Sequence, residues 1–186
     1  MTDTQTTHLD LSDLYRDRAG AIDDLLATTQ EWDAATPCEG WTVRDLVAHL
    51  IETQRNFLGQ RGLEVPVVSL DNPGEAWATH TAAVQELLGD PEIGAREYDG
   101  YFGPATVAGT MATFYGWDLL VHRWDLARAL GADDRFTPEE LDAIEAAIPG
   151  FGDALYSAGI CAAPVDVPET ESRQVRLLAR LGRDAR

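Results

Sequence analysis

The chain has 186 residues, of which 45% are hydrophobic, 25% charged and 8% aromatic, the composition of an ordered globular protein long enough to bury its own core. Fourteen basic residues stand against 32 acidic ones, for a formal net charge of -18, and every basic residue is arginine. A surface so acidic repels phosphate, which excludes general binding to nucleic acid or to an anionic membrane.

The first ten residues hold no basic residue and no apolar run, so a secretory signal is not expected there and a cytoplasmic location is. The most apolar late stretch, residues 154–165, is broken by Ser157, Gly159 and Pro164 and falls far short of the roughly 20 residues a membrane span needs. Two cysteines, Cys38 and Cys161, fit a reducing compartment better than a disulfide framework.

A first helix is predicted over 11–29, with Leu14, Ala21, Leu25 and Leu26 near helical spacing and Ser12 or Asp10 as cap. Pro37 and Gly40 break the chain across 36–41, and Thr42, with Asp45 three residues on, opens a second helix over 43–59. Val43, Leu46, Val47, Leu50, Phe57 and Leu58 share one face of it. A loop over 62–73, with an extended piece at 65–70, leads to a third helix over 74–88, ended by Gly89, Asp90 and Pro91. Residues 92–104, rich in Gly and Tyr, form a second long connection, and a fourth helix spans 106–130 up to Gly131.

Thr137, Pro138, Glu139 and Glu140 then supply the cap, the proline and the acidic first turn of another helix, which ends before Pro149. A helical stretch at 151–158, an extended segment at 164–168 and a short basic helix over 171–181 complete the chain. The last sixteen residues hold five arginines against two acids, so the excess acid lies on the rest of the chain and a basic tail can lie across it. No strand pattern or repeat competes with an all-α bundle. The expected organisation is one domain over 1–186, with a core bundle over about 8–131 and a C-terminal extension over about 132–186.

The fourth helix carries polar residues on its apolar side. At about 100° per residue, with Asp118 as zero, His122 falls near 40° and Asp125 near -20°. Val107, Met111, Phe114, Tyr115 and Ala129 lie within about 60° of zero, so the three polar residues sit inside the apolar stripe, while Arg123 points the opposite way. Two buried carboxylates and an imidazole cost several kcal/mol per charged group unless something compensates, and the candidates are a salt bridge, a helix cap or a metal ion. Asp118 and His122, four residues apart, can converge on one cation from a single helix face. His49 on the second helix is a candidate further donor, although it lies on the flank of that helix's stripe.

Asp125 either orients His122 or pairs with Arg128 or Arg44, and Glu52, one turn from His49, is either a similar support or a surface residue. His8, in the N-terminal tail, and His80, between Thr79 and Thr81, are expected at the surface. No Gly-x-Ser-x-Gly elbow occurs, and Cys38 has only Arg44 as a nearby cation in sequence, so nucleophilic catalysis by serine or cysteine is not favoured and Cys38 is expected as a buried loop residue.

Residues 36–50 (TPCEGWTVRDLVAHL), 118–131 (DLLVHRWDLARALG) and 176–184 (RLLARLGRD) together resemble an actinobacterial family of small metal-binding proteins. That family is similar to the N-terminal domain of mycothiol-dependent maleylpyruvate isomerase and belongs to the DinB/YfiT-like superfamily. The likeness spans nearly the whole chain, and arginine without lysine in an alanine-rich sequence agrees with the GC-rich genome of such a source. The resemblance implies a four-helix bundle with short additional C-terminal helices, holding one divalent ion, commonly zinc, with nickel, manganese or iron as alternatives. Carried onto this sequence, the ligands are His49, Asp118 and His122. The isomerase relatives have Glu where this chain has Asp118, and the shorter side chain shifts the ion toward the helix or alters metal preference.

The isomerase carries a further C-terminal domain, whereas about fifty residues follow Gly131 here, so maleylpyruvate isomerisation itself is not expected. Two His and one carboxylate leave coordination positions open, as catalytic sites do. The expected activity is a metal-dependent thiol transferase or isomerase that activates mycothiol, or a similar low-molecular-weight thiol, against a small electrophile. The alternatives are a metal-dependent hydrolase and a non-catalytic metal-binding or interaction module. Trp117 and Trp124, to either side of the polar stripe, leave room for a homodimer contact.

Overall fold

The computed structural model describes residues 2–100, 103–157 and 159–186, with side chains from Leu11 onward. Helix α1 (Thr2–Leu26) begins earlier and ends earlier than its apolar spacing predicts. The expected surface position of His8 concerns a side chain outside the described residues. Helix α2 (Val43–Gly59) has the bounds read from the sequence, because Thr42 and Asp45 close a full capping box and Val43, Leu46, Val47, Leu50, Phe57 and Leu58 are all buried. Ahead of it, Thr36 N–H bonds Trp41 C=O at 2.9 Å and Gly40 takes φ 77°, a left-handed turn that folds Cys38 and Trp41 back beside the helix start.

Helix α3 (Pro73–Gly89) is capped by Asn72 and followed by a single turn, α4 (Pro91–Gly94). The connection expected to be irregular contains a small antiparallel hairpin, β1 (Glu97–Gly100) with β2 (Gly103–Thr106). Four-residue strands are too short to show an alternating apolar pattern, which is why the sequence concealed them.

The fourth helical rod is continuous but not uniform. It runs through α5 (Val107–Thr110), a π turn at Met111–Tyr115 and α6 (Gly116–Leu130), ending at Gly131 with φ 65°. A π turn spends more residues per revolution than an α turn, so a fixed 100° count fails across it. Phe114, expected on the buried stripe, is 38% exposed. Asp118, His122 and Asp125 all follow the π turn, and their mutual spacing is undisturbed. Arg18 from α1 donates from Nη1 to Ala112 C=O at 2.8 Å within the turn. It can do so because residue 116 is glycine: a Cβ there would meet Arg18 Nη1 at 2.5 Å.

Helices α1, α2, α3 and α6 pack into one apolar cluster that includes Tyr15, Ile22, Leu46, Leu50, Trp77, Met111, Leu119 and Leu126. The other side of α6 is equally apolar. Trp117, Leu120, Val121 and Trp124 form a second cluster with α7 (Pro138–Phe151) and α8 (Arg173–Arg180), through Ile144, Ile148, Leu177, Leu178 and Leu181. Trp117 and Trp124 are therefore covered by this chain's own C-terminal helices and do not leave room for the homodimer contact expected there. α7 continues past Pro149 to Phe151, since a proline in the final turn forfeits only one backbone bond. A short 3₁₀ turn, Gly152–Tyr156, follows. Among the described residues no helix is long and apolar enough to cross a membrane.

Candidate metal centre

α2 and α6 each bring polar side chains to their common seam. His49 Nε2 lies 3.6 Å from Asp118 Oδ2, and His122 Nε2 lies 3.4 Å from Asp118 Oδ1. One donor atom from each of the three residues falls within 4.8 Å of the other two. The structure thus brings together the three residues that the resemblance singled out, with Asp118 and His49 each 22% exposed at the side chain. Trp41, delivered by the turn before α2, packs its ring 4.9 Å from that of His49 and stacks 6.3 Å from that of His122.

The donor set can be tested against a cation. Two donors about 2.1 Å from a tetrahedral ion stand about 3.4 Å apart, close to both separations above. The hydrogen bonding gives a second argument. His122 Nδ1 donates to Asp125 Oδ2 at 2.9 Å, which leaves a lone pair on Nε2 in the neutral ring, facing the carboxylate oxygen of Asp118. Two acceptors so placed repel unless a proton or a cation lies between them. Without a metal the proton does this: burial opposes it, but Asp118 and Asp125 hold the His122 imidazolium well above its ordinary pKa. Burial would likewise raise Asp118, and the His122 and His49 rings outweigh it, keeping the carboxyl well below the usual range. A divalent ion replaces that proton with a stronger positive charge, so the residues fit one.

Asp125 is 0% exposed and serves as a hub. Burial would raise its pKa, but the Arg183 guanidinium and His122 bring it down to about 2. Its Oδ1 accepts from Arg183 Nε at 2.9 Å, and its Oδ2 accepts from Arg183 Nη2 at 2.7 Å and from the Cys38 thiol at 3.4 Å. The expected partners Arg128 and Arg44 are engaged elsewhere, Arg128 on Asp134 at 2.8 Å and Arg44 on Leu70 C=O. A second candidate group, Cys38, His122 and Asp125, also has its donor atoms within 4.8 Å of one another, but Arg183 already occupies Asp125 with two nitrogens.

The seam lines a cavity of about 560 Å³ that Tyr156, Ile160, Cys161, Ala162 and Arg183 also line. Sequence reasoning missed Arg183 and Cys161 at this site. No periodicity connects a tail arginine to an aspartate 58 positions earlier, and Cys161 lies outside regular helix. Burial pushes the Cys161 thiol up, against the Arg183 charge.

Glu52 is exposed and not among the clustered donors. His80 corrects its expectation outright. It is 0% exposed in the bundle core, where its Nε2 donates to Gln54 Oε1 at 3.0 Å and the Tyr15 hydroxyl donates to the same oxygen at 2.7 Å.

The family model of the mycothiol maleylpyruvate isomerase N-terminal domain matches residues 15–127, more than half of the chain. The matched segment contains Cys38, His49, Asp118, His122 and Asp125, and stops short of Cys161 and Arg183. No curated protein and no solved structure matches the chain.

Proposed function

The chain belongs to the mycothiol maleylpyruvate isomerase N-terminal domain family, and on that premise we propose that it holds one divalent cation through His49, Asp118 and His122 and transfers a low-molecular-weight thiol of the mycothiol type to a small electrophile. The observation that carries the reading is the facing of His49 and His122 Nε2 on the Asp118 carboxylate, 3.6 and 3.4 Å away respectively, in the lining of a cavity. Two nitrogens and one oxygen suit zinc and leave coordination positions open. A bound cation supplies positive charge that favours thiolate over thiol.

The remaining work falls to the protein's own groups. Asp125 fixes the His122 ring through Nδ1, so Nε2 stays aimed at the seam. Trp41 shields the two rings on one side, limiting water there. The cavity, at about 560 Å³, is of ligand size. The thiol releases its proton to solvent, the sulfur supplies the electron pair of the new carbon–sulfur bond, and the displaced group leaves with the pair it held.

Metal analysis of the purified protein is the test. About one equivalent of a transition metal in wild type and its loss in His122→Ala supports the reading. Less than about a tenth of an equivalent in both overturns it, and with it any metal-dependent hydrolase. Incubating the metal-loaded protein with mycothiol and generic electrophiles then separates chemistries: metal-dependent thiol consumption supports transfer, while turnover without thiol consumption marks a hydrolase.

A further inference from the structure

We infer that Arg183, from the C-terminal tail outside the family-matched segment, is a positioning residue of the metal centre, acting through Asp125 on His122. The inference rests on the metal reading above and extends it to a part of the chain that the family match does not cover.

Arg183 follows α8 through Gly182, which takes φ 81° and approaches Ala162 so closely that a Cβ would lie 2.7 Å from the Ala162 carbonyl oxygen. That approach turns the chain inward, and Arg183 is left 7% exposed. Every nitrogen of its guanidinium has a partner. Nε bonds both oxygens of Asp125, at 2.9 and 3.2 Å, Nη2 bonds Oδ2 at 2.7 Å and contacts Cys38 Sγ at 3.7 Å, and Nη1 donates to Leu181 C=O at 2.8 Å. A planar fork on a carboxylate fixes the plane of that carboxylate as well as its position.

Asp125 Oδ2, held in this way, accepts from His122 Nδ1 at 2.9 Å. The ring plane of His122, and with it the direction of the Nε2 lone pair, follows from the fork. A carboxylate without the clamp gains freedom to rotate. The lone pair then sweeps a wider cone, and the donor set of His49, Asp118 and His122 must be ordered by the metal itself. Loss of such an outer partner lowers metal affinity by about ten- to a hundredfold.

The experiment compares wild type, Arg183→Met, Arg183→Lys and Arg186→Met in the full chain. Zn²⁺ affinity is read by competition with a chromophoric chelator, and ligand geometry from the visible spectrum of the Co²⁺-loaded protein. Arg186 lies in the same tail and pairs with Asp184 at 2.9 Å, away from the seam, so its variant is expected to match wild type in both. Arg183→Met is expected to lose about ten- to a hundredfold in Zn²⁺ affinity with an altered Co²⁺ spectrum. Arg183→Lys, which keeps the charge without the fork, falls between the two. Should Arg183→Met fail to fold, the double variant Asp125→Asn, Arg183→Met removes both buried charges, keeps an acceptor for His122, and is expected to lose affinity to the same degree.

A merely structural role for Arg183 predicts a lower melting temperature for the metal-free protein with wild-type Co²⁺ spectrum and Zn²⁺ affinity. That result overturns the inference and leaves the metal reading intact. Wild type that binds neither metal overturns both.

Discussion

The two buried histidine clusters of this protein, one around His80 and one around His122, share a helix-bundle setting and differ in everything that bears on chemistry. His80 hydrogen-bonds to a neutral group: it donates to Gln54, which also accepts from Tyr15. Its Nδ1 and Gln54 Nε2 have no partner among the described residues. Burial and, less, the Arg55 charge push its pKa down to about 4. His122 meets two carboxylates, a second imidazole and, through Asp125, a guanidinium, beside a cavity. Burial alone discharges a histidine, and burial among carboxylates prepares it to hold a cation. What separates a core histidine from a candidate centre is therefore the charge of the neighbours and the access of solvent.

That contrast can be broken or sharpened by measurement. The largest effect is expected for Asp125→Ala, which leaves Arg183 buried without its carboxylate and costs about 3–5 kcal/mol in denaturant unfolding of the metal-free protein. A loss under about 1 kcal/mol would mean that solvent reaches the pair.

The pH dependence of the His80 cluster comes next. His80 has a folded pKa depressed to about 4, so the unfolded chain binds its proton first. Its contribution to stability is present above about pH 6.5 and is lost as pH falls toward 4, by up to about 3 kcal/mol. His80→Leu is expected to flatten the stability profile across that window, and an unchanged profile would remove His80 as its source.

Zinc at a hundredfold excess over its dissociation constant is expected to stabilise wild type by about 2.7 kcal/mol. His49→Ala, scanned at the same zinc concentration, is expected to gain less than half of that, while an equal gain would take His49 out of the ligand set. The smallest effect belongs to His80→Leu at pH 7.5. Gln54 Oε1 keeps its bond from Tyr15, so stability is expected to change by less than about 1 kcal/mol and metal content not at all.

The regions that were legible in the sequence are those governed by local rules. α2 follows from Thr42, Asp45 and a regular apolar face, and the shared face of Asp118, His122 and Asp125 follows from α-helical spacing after the π turn. Phe114 was misplaced because nothing local in Met111–Tyr115 announces the wider turn, which rests on Arg18 reaching Ala112 from another helix. The burial of His80 is legible in the sequence, against the surface position expected for it. Ala76, Trp77, Val84 and Leu88 mark a stripe on α3 that includes it, and the polar neighbours Thr79 and Thr81 mask that pattern. Arg183 could not be read at all, since its partner is fixed by how the tail packs on α6.

α6 presents apolar side chains to both hydrophobic clusters, and this shared wall has a kinetic consequence. Lifting the C-terminal segment, from α7 through the tail, away from it uncovers Trp117 and Trp124 and withdraws Arg183 from Asp125 in one event, because these contacts lie between α6 and that segment. A single opening rate then governs slow hydrogen exchange along the outer face of α6, exposure of the two indoles to quenchers, and release of the His122 ring.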